Sequence, residues 1–133
     1  MRALLDTHIW VWWLTGDPAL TDRERTALDT AAIAGELCLA AISLWEAQML
    51  HARRRLALPL PLTDWLRRAA SPAVVTVLPI DVPVIAALDS LPGRFHGDPA
   101  DRLIVATAKA HRLPLASRDR RIRASRTVSL WKP

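Results

Sequence analysis

The sequence has 133 residues, 51% of them hydrophobic, and a formal net charge of +5. That length buries about two thirds of the surface the chain would expose unfolded, enough for one core, so a single domain over residues 1–133 is expected. The longest apolar runs, "IWVWWL" and "CLAAISLW", fall well short of the roughly 20 residues of a membrane span, Asp6 interrupts any signal-peptide pattern, and a lone Cys38 excludes an internal disulfide, so a soluble cytoplasmic protein is expected.

Residues 2–5, "RALL", read as a short strand, and Asp6-Thr7 opens a helix in which Ile9, Trp10, Trp13 and Leu14 recur at helical spacing. Gly16 and Asp17-Pro18 stop it. Thr21, with Glu24 three residues on, has the form of a capping box and starts a second helix running towards Gly35. "ELCLAA" is the second strand, with Cys38 a buried space-filling thiol. Ser43 precedes a third helix that carries Leu44, Glu46, Met49 and Leu50, and Pro59 and Pro61 end that region. Thr63 is placed as the cap of a fourth helix, "VVTVLPI" as the third strand from its β-branched content, and residues 81–91 as a helix. After Pro92-Gly93 a helix beginning at Asp98-Pro99 carries Leu103, Ile104, Thr107 and Ala108 on one side, and "LPLA" and "TVSLW" supply the fourth and fifth strands. Strands alternating with helices imply the α/β class. Parallel strands need crossover connections, so a mainly parallel sheet of about five strands, covered on both faces, follows.

Each acid along this path has a local explanation. Ser43-x-x-Glu46 fits a capping box, Asp98-Pro99-x-Asp101 fits an N-cap with proline and a carboxylate in the first turn, and Ser117-x-Asp119 fits the cap of a last short helix. Position relative to the strands suggests a shared role as well. Asp6 follows strand one, Glu46 follows strand two, Asp119 follows strand four, and Asp101 starts the helix leading into strand four. In a parallel α/β sheet the carboxyl ends of the strands face one rim, where ligands bind.

Carboxylates crowded at one rim repel unless protonated, hydrogen-bonded or compensated by cations. All-oxygen donors, with neither cysteine nor a helical His-x-x-x-His pair, suit Mg²⁺ or Mn²⁺ better than zinc. Such an ion activates water and offsets charge on a leaving oxygen, the chemistry of phosphodiester hydrolysis. The basic balance, with a sequence pI of about 10.9 and clusters at Arg53 to Arg55, Arg67 with Arg68, and Arg118 to Arg126, suits a phosphate backbone or an acidic partner. An acidic cleft with a basic rim favours a nuclease over a cation buffer.

The blocks "LLDTHIWVWWL", "AISLWEAQML", "HGDPADRLIVATA" and "LASRD", in this order across essentially the whole chain, resemble a PIN-domain ribonuclease, specifically the VapC-type toxin of a type II toxin–antitoxin pair. The resemblance implies a three-layer α/β/α sandwich and an endoribonuclease that uses Mg²⁺, with Mn²⁺ as a substitute. It implies Asp6, Glu46 and Asp101 as core metal ligands and Asp119 as a fourth acid. Asp98 is auxiliary, and Thr7 is the small hydroxyl residue that steadies the water. Ser117 stands where many relatives carry threonine. The implied partners are RNA, often a tRNA or rRNA, and a VapB-type antitoxin that wraps the toxin, with a homodimer or toxin–antitoxin hetero-oligomer as the assembly.

Arg102 and Arg118 are candidate substrate contacts beside their neighbouring acids, a structural salt bridge being the alternative for Arg102. His8 and His96 lie near proposed site residues, whereas His51 and His111 read as surface residues. The six tryptophans favour core packing, with a docking groove around Trp12 as the alternative, and Trp45 either packs behind the site or stacks on a base. A receiver domain would need paired acids after strand one, and a haloacid-dehalogenase-type phosphatase an Asp-x-Asp there; Thr7 and His8 occupy those places. A catalytically silent RNA- or protein-binding module with a receiver-like fold stays open as the alternative.

Overall fold

A computed structural model describes residues 2–93, 95 and 97–133. Strand β1 is Ala3–Leu5, β2 is Leu37–Ala40, β3 is Thr76–Leu78 and β4 is Leu115–Ala116. They form one parallel sheet in the order β3-β2-β1-β4, with Leu4 opposite both Cys38 and Leu115. Both faces are buried, and alternate side chains serve opposite cores. Leu5, Leu37, Leu39 and Ala116 join one cluster, and Leu4, Cys38, Ala40, Leu78 and Leu115 the other. That period of two on a doubly covered sheet explains why the strands read as unbroken apolar runs.

The first core is closed by helices α1 (Thr7–Thr15), α2 (Asp22–Ile33) and α4 (Leu62–Ala69), which contribute Trp10, Leu28 and Trp65. The second is closed by α5 (Val82–Asp89), α6 (Pro99–His111) and α7 (Arg120–Ser125), through Leu88, Ile104, Val105 and Ile122. Helix α3 (Ile42–Ala52) sends Ala47 and Leu44 to the first and Ile42 to the second. Trp10 is fully buried, its ring 5.0 Å from that of Trp65 and its indole N–H donating to the Ala69 carbonyl at 2.9 Å. Cys38 is buried, as its neighbours imply.

Three sequence expectations are corrected. The fifth strand shrinks to one parallel bridge between Leu130 and Leu115. Alternate residues of a strand bond to opposite neighbours, and the carbonyls of Pro114 and Ala116 already accept from Leu4 and Asp6 of the β1 side. Only Leu115 therefore faces outward, accepting from Trp131 and donating to Ser129. Thr63 is not a cap: α4 starts at Leu62 behind Pro61, with no side-chain cap bond. Nor does Ser43 cap α3, which begins at Ile42 with Ala41 before it. Ser43 and Glu46 are thus helix-interior residues, and Ser43 instead accepts a hydrogen bond from the Thr7 hydroxyl at 2.8 Å.

Candidate active site

Strand order reverses its sense beside β1, whose one neighbour is β2 and whose other is β4. The crevice at the carboxyl ends of these strands receives Asp6 from β1, Glu46 from the helix after β2, and Ser117 to Asp119 from β4. Helix α6 brings Asp98 and Asp101 to the same place. A cavity of about 360 Å³ is lined there by Asp6, His8, Trp12, Glu46, Asp98, Asp101, Arg118 and Asp119.

Local helix chemistry places most of these acids. Asp6 is the N-cap of α1, with Oδ1 accepting from the Thr7 N–H at 2.7 Å, and its other oxygen accepts from the Ser117 hydroxyl at 2.7 Å. Asp98 caps α6 by accepting from the Asp101 N–H at 3.0 Å, with Pro99 at the first helical position. Asp119 caps α7, accepting from the N–H groups of Arg121 and Ile122 at 2.8 and 3.0 Å, and its own N–H donates to Ser117 at 3.0 Å. The capping role is thus real for three acids, and their helices start where the site is. Glu46 has no such duty.

Carboxylate oxygens of Glu46, Asp98 and Asp101 lie within 4.8 Å of one another. Asp98, given an auxiliary role from the sequence, stands in this tight group, while Asp6 and Asp119 line the same cavity outside it. Glu46 is 8% exposed, and its Oε1 is buried without a hydrogen-bond partner among the described residues. Burial raises the Glu46 carboxyl above the usual carboxylate range, the polar Thr7 side chain opposes this, and the charge of Asp6 adds to it. Burial likewise raises Asp6, against the Ser117 hydrogen bond, the nearby His8 and the Thr7 N–H. Asp101 is pushed up to about 8 by burial and then by the charges of Asp6, Asp98, Asp119 and Glu46. One carboxyl that feels four others means that the five share one electrostatic field. Such a set holds protons at neutral pH or takes a cation in their place.

The other candidates distribute unevenly. Arg118 lines the acidic cavity at its rim and pairs with Glu24. Arg102 does not line it; its guanidinium points to the Phe95 carbonyl at 3.5 Å. Ser117 is buried between Asp6 and Asp119 and bonded to both. His96 lies outside the described residues. Trp45 is 50% exposed, so it does not pack behind the site.

The sequence favours core packing for the tryptophans, with a docking groove around Trp12 as the alternative, and leaves His8 only near the site, yet Trp12 and His8 both line the cavity, with ring centres 5.6 Å apart. The signal was present: four residues apart on α1, they share the helix face that follows the Asp6 cap.

The sequence profile of the family described as "PIN domain" matches residues 3–126. The chain is 38% identical over 131 residues to "Ribonuclease VapC22" of Mycobacterium tuberculosis (strain ATCC 25618 / H37Rv), spanning 96% of this chain and 97% of that protein. Its fold resembles that in the crystal structure of VapBC2 from Rickettsia felis bound to a DNA fragment from their promoter, at a TM-score of 0.75 and 17% identity over 98% of each chain. It also resembles that of FitAcB from Neisseria gonorrhoeae, at a TM-score of 0.70 and 25% identity, covering 98% of this chain and 97% of that one.

Proposed function

The chain belongs to the PIN-domain family, in its VapC-type branch, and on that premise we propose that it is a metal-dependent endoribonuclease toxin that hydrolyses RNA phosphodiester bonds. The observation that carries this reading is the convergence of Asp6, Glu46, Asp98, Asp101 and Asp119 on one cavity.

The residues fit a hard divalent cation. Every donor is an oxygen, and the partnerless buried Oε1 of Glu46 is the kind of atom a cation satisfies. Glu46, Asp98 and Asp101 would hold Mg²⁺ or Mn²⁺, with Asp6 and Asp119 on the adjoining wall. When bound, the ion supplies Lewis acidity and offsets the negative charge of the phosphate. The chain contributes positioning. Ser117 and the Thr7 N–H fix both oxygens of Asp6, the Thr7 hydroxyl tethers Ser43 on the helix that carries Glu46, and the α7 cap holds Asp119. Arg118 at the rim balances a phosphate that the acids alone would repel. Arg102, which does not line the acidic cavity, has no part in this reading.

Likeness to VapC22 and to the VapBC2 chain supports an RNA substrate, a tRNA or rRNA among the candidates, and a VapB-type antitoxin as the inhibiting partner. The exposed Ile80, Val82 and Ile85 beside edge strand β3 support association as a homodimer or within a toxin–antitoxin hetero-oligomer. No helix among the described residues is long and apolar enough to cross a membrane, and we place the protein in the cytoplasm with its substrate.

The test is purified protein with total RNA and Mg²⁺ or Mn²⁺, followed by sequencing of the new RNA ends. Discrete cleavage that disappears with a chelator, and with Asp101→Asn or Glu46→Gln in a folded protein, is expected. Cleavage that survives chelation and both substitutions sinks the mechanism, and metal-dependent binding without cleavage selects the silent binding module.

A further inference from the structure

Behind the acidic cavity lies a second one, of about 480 Å³, with the opposite charge. Arg118, Arg120, Arg123 and Lys132 line it, together with the partly buried indole of Trp131. Glu24 is the acid on its described wall, and Arg118 already pairs with it. Arg120 and Lys132 are exposed, and the four cationic side chains on the cavity wall face one acidic side chain, Glu24, so the side chains give the cavity a net positive field. The two cavities adjoin at Ser117 and Arg118. Ser117 lines the basic one while its hydroxyl holds Asp6 at 2.7 Å in the acidic one, and Arg118 lines both. The backbone of the other wall is fixed as well, since the backbone N–H of Trp131 donates to the Leu115 carbonyl of β4 at 2.9 Å.

We propose that this basic cavity holds a nucleotide flanking the scissile phosphate, its phosphate on Arg120, Arg123 and Lys132 and its base against Trp131. The assignment rests on the ribonuclease reading above and extends it to residues outside the acidic centre. Guanidinium and ammonium groups beside one aromatic face are the elements that bind a single strand without reading its sequence, the cations taking the backbone and the ring taking a base. A duplex keeps its bases stacked and offers none to Trp131. The cavity therefore selects unpaired RNA at the cut site, and an acidic peptide would leave the indole unused.

The test measures binding of a labelled single-stranded oligoribonucleotide of mixed sequence, by fluorescence anisotropy, to protein carrying Asp101→Asn so that the RNA is not cut. A duplex of equal length and a polyglutamate peptide serve as comparison probes. Adding R120A and K132A is expected to weaken the single strand about tenfold and to reduce the slope of log affinity against log salt by about 1.4, for two phosphate contacts. W131A is expected to cost about fivefold or more on the single strand and to spare the duplex, with W131F retaining most of the affinity. Should W131A fail to fold, the pair of exposed cations still decides. Unchanged binding and salt slope in the cation variant overturn the proposal, as does an equal loss for polyglutamate. Cleavage by the unsubstituted chain is scored apart: its absence refutes the ribonuclease, whereas cleavage with unaltered binding by these variants refutes only the basic cavity.

Discussion

The hydroxyl of Ser117 donates to Oδ2 of Asp6 at 2.7 Å across 111 positions of sequence, joining the end of β4 to the end of β1. Both residues are buried to within a few per cent, so little water is at hand to replace the bond. Ser117→Ala leaves a buried carboxylate oxygen without its donor. A loss of about 1–3 kcal/mol in urea unfolding of the chelated protein is expected. Unchanged stability would show that another group satisfies Asp6.

Asp101→Asn is expected to lower RNA cleavage by more than about 100-fold, beyond the 10–100-fold that loss of an outer-shell partner costs a metal site. At neutral pH the fold holds this carboxyl protonated at a cost in stability that an amide does not incur, so the same change is expected to raise the melting temperature of the metal-free protein. Thermal melts in chelator alongside cleavage assays separate the two effects. A variant that loses activity and stability together contradicts this electrostatic account.

The pH dependence has a definite sign. Asp101 titrates at about 8 in the fold against 3.8 ordinarily, so between these values the native state binds more protons than the unfolded one. Stability of the metal-free protein therefore falls as pH rises from about 4 to about 8, the opposite of the usual carboxylate behaviour. Glu46 and Asp6, also raised, act in the same direction. Denaturation curves at steps across that range check it, and Asp101→Asn should flatten the slope.

Metal binding must displace the proton that this cluster retains. About one proton is expected to leave per Mg²⁺ or Mn²⁺ bound near pH 7, and affinity should rise up to about tenfold per pH unit below 8. Calorimetry in two buffers of different ionisation enthalpy counts the protons. A count of zero would mean that Asp101 is already ionised.

Trp10 anchors α1, and through it the Asp6 cap, to the first core. Trp10→Phe loses the hydrogen bond to Ala69 and part of the contact with Trp65, and Trp10→Ala is expected to cost about 3–5 kcal/mol of stability. Cleavage per folded molecule in Trp10→Phe should stay near that of the parent, since the indole does not line the acidic cavity.

Much of this site was legible because helix starts and ligand positions coincide. The caps at Asp6, Asp98 and Asp119 follow from local sequence, and the alternation of strands and helices carries them to one rim. Glu46 was legible from its place after strand two, while its local explanation was wrong, since Ser43 makes no cap and accepts from Thr7 instead. That bond spans 36 positions and has no signature in the residues near it. The rank of Asp98 within the cluster was hidden for the same cause, because distances between α3 and α6 depend on packing. The fifth strand failed on a count of hydrogen-bonding groups: "TVSLW" has strand character, and β4 is too short to accept more than a bridge.

Three of the five acids begin helices, and Glu46 and Asp101, inside α3 and α6, begin none. Lesions at positions 6, 98 or 119 weaken the scaffold along with the chemistry, whereas Glu46→Gln and Asp101→Asn strike the chemistry alone. Among cells that survive forced expression of this chain, codons 46 and 101 should therefore be the favoured addresses of escape mutations that still yield abundant, full-length, soluble polypeptide.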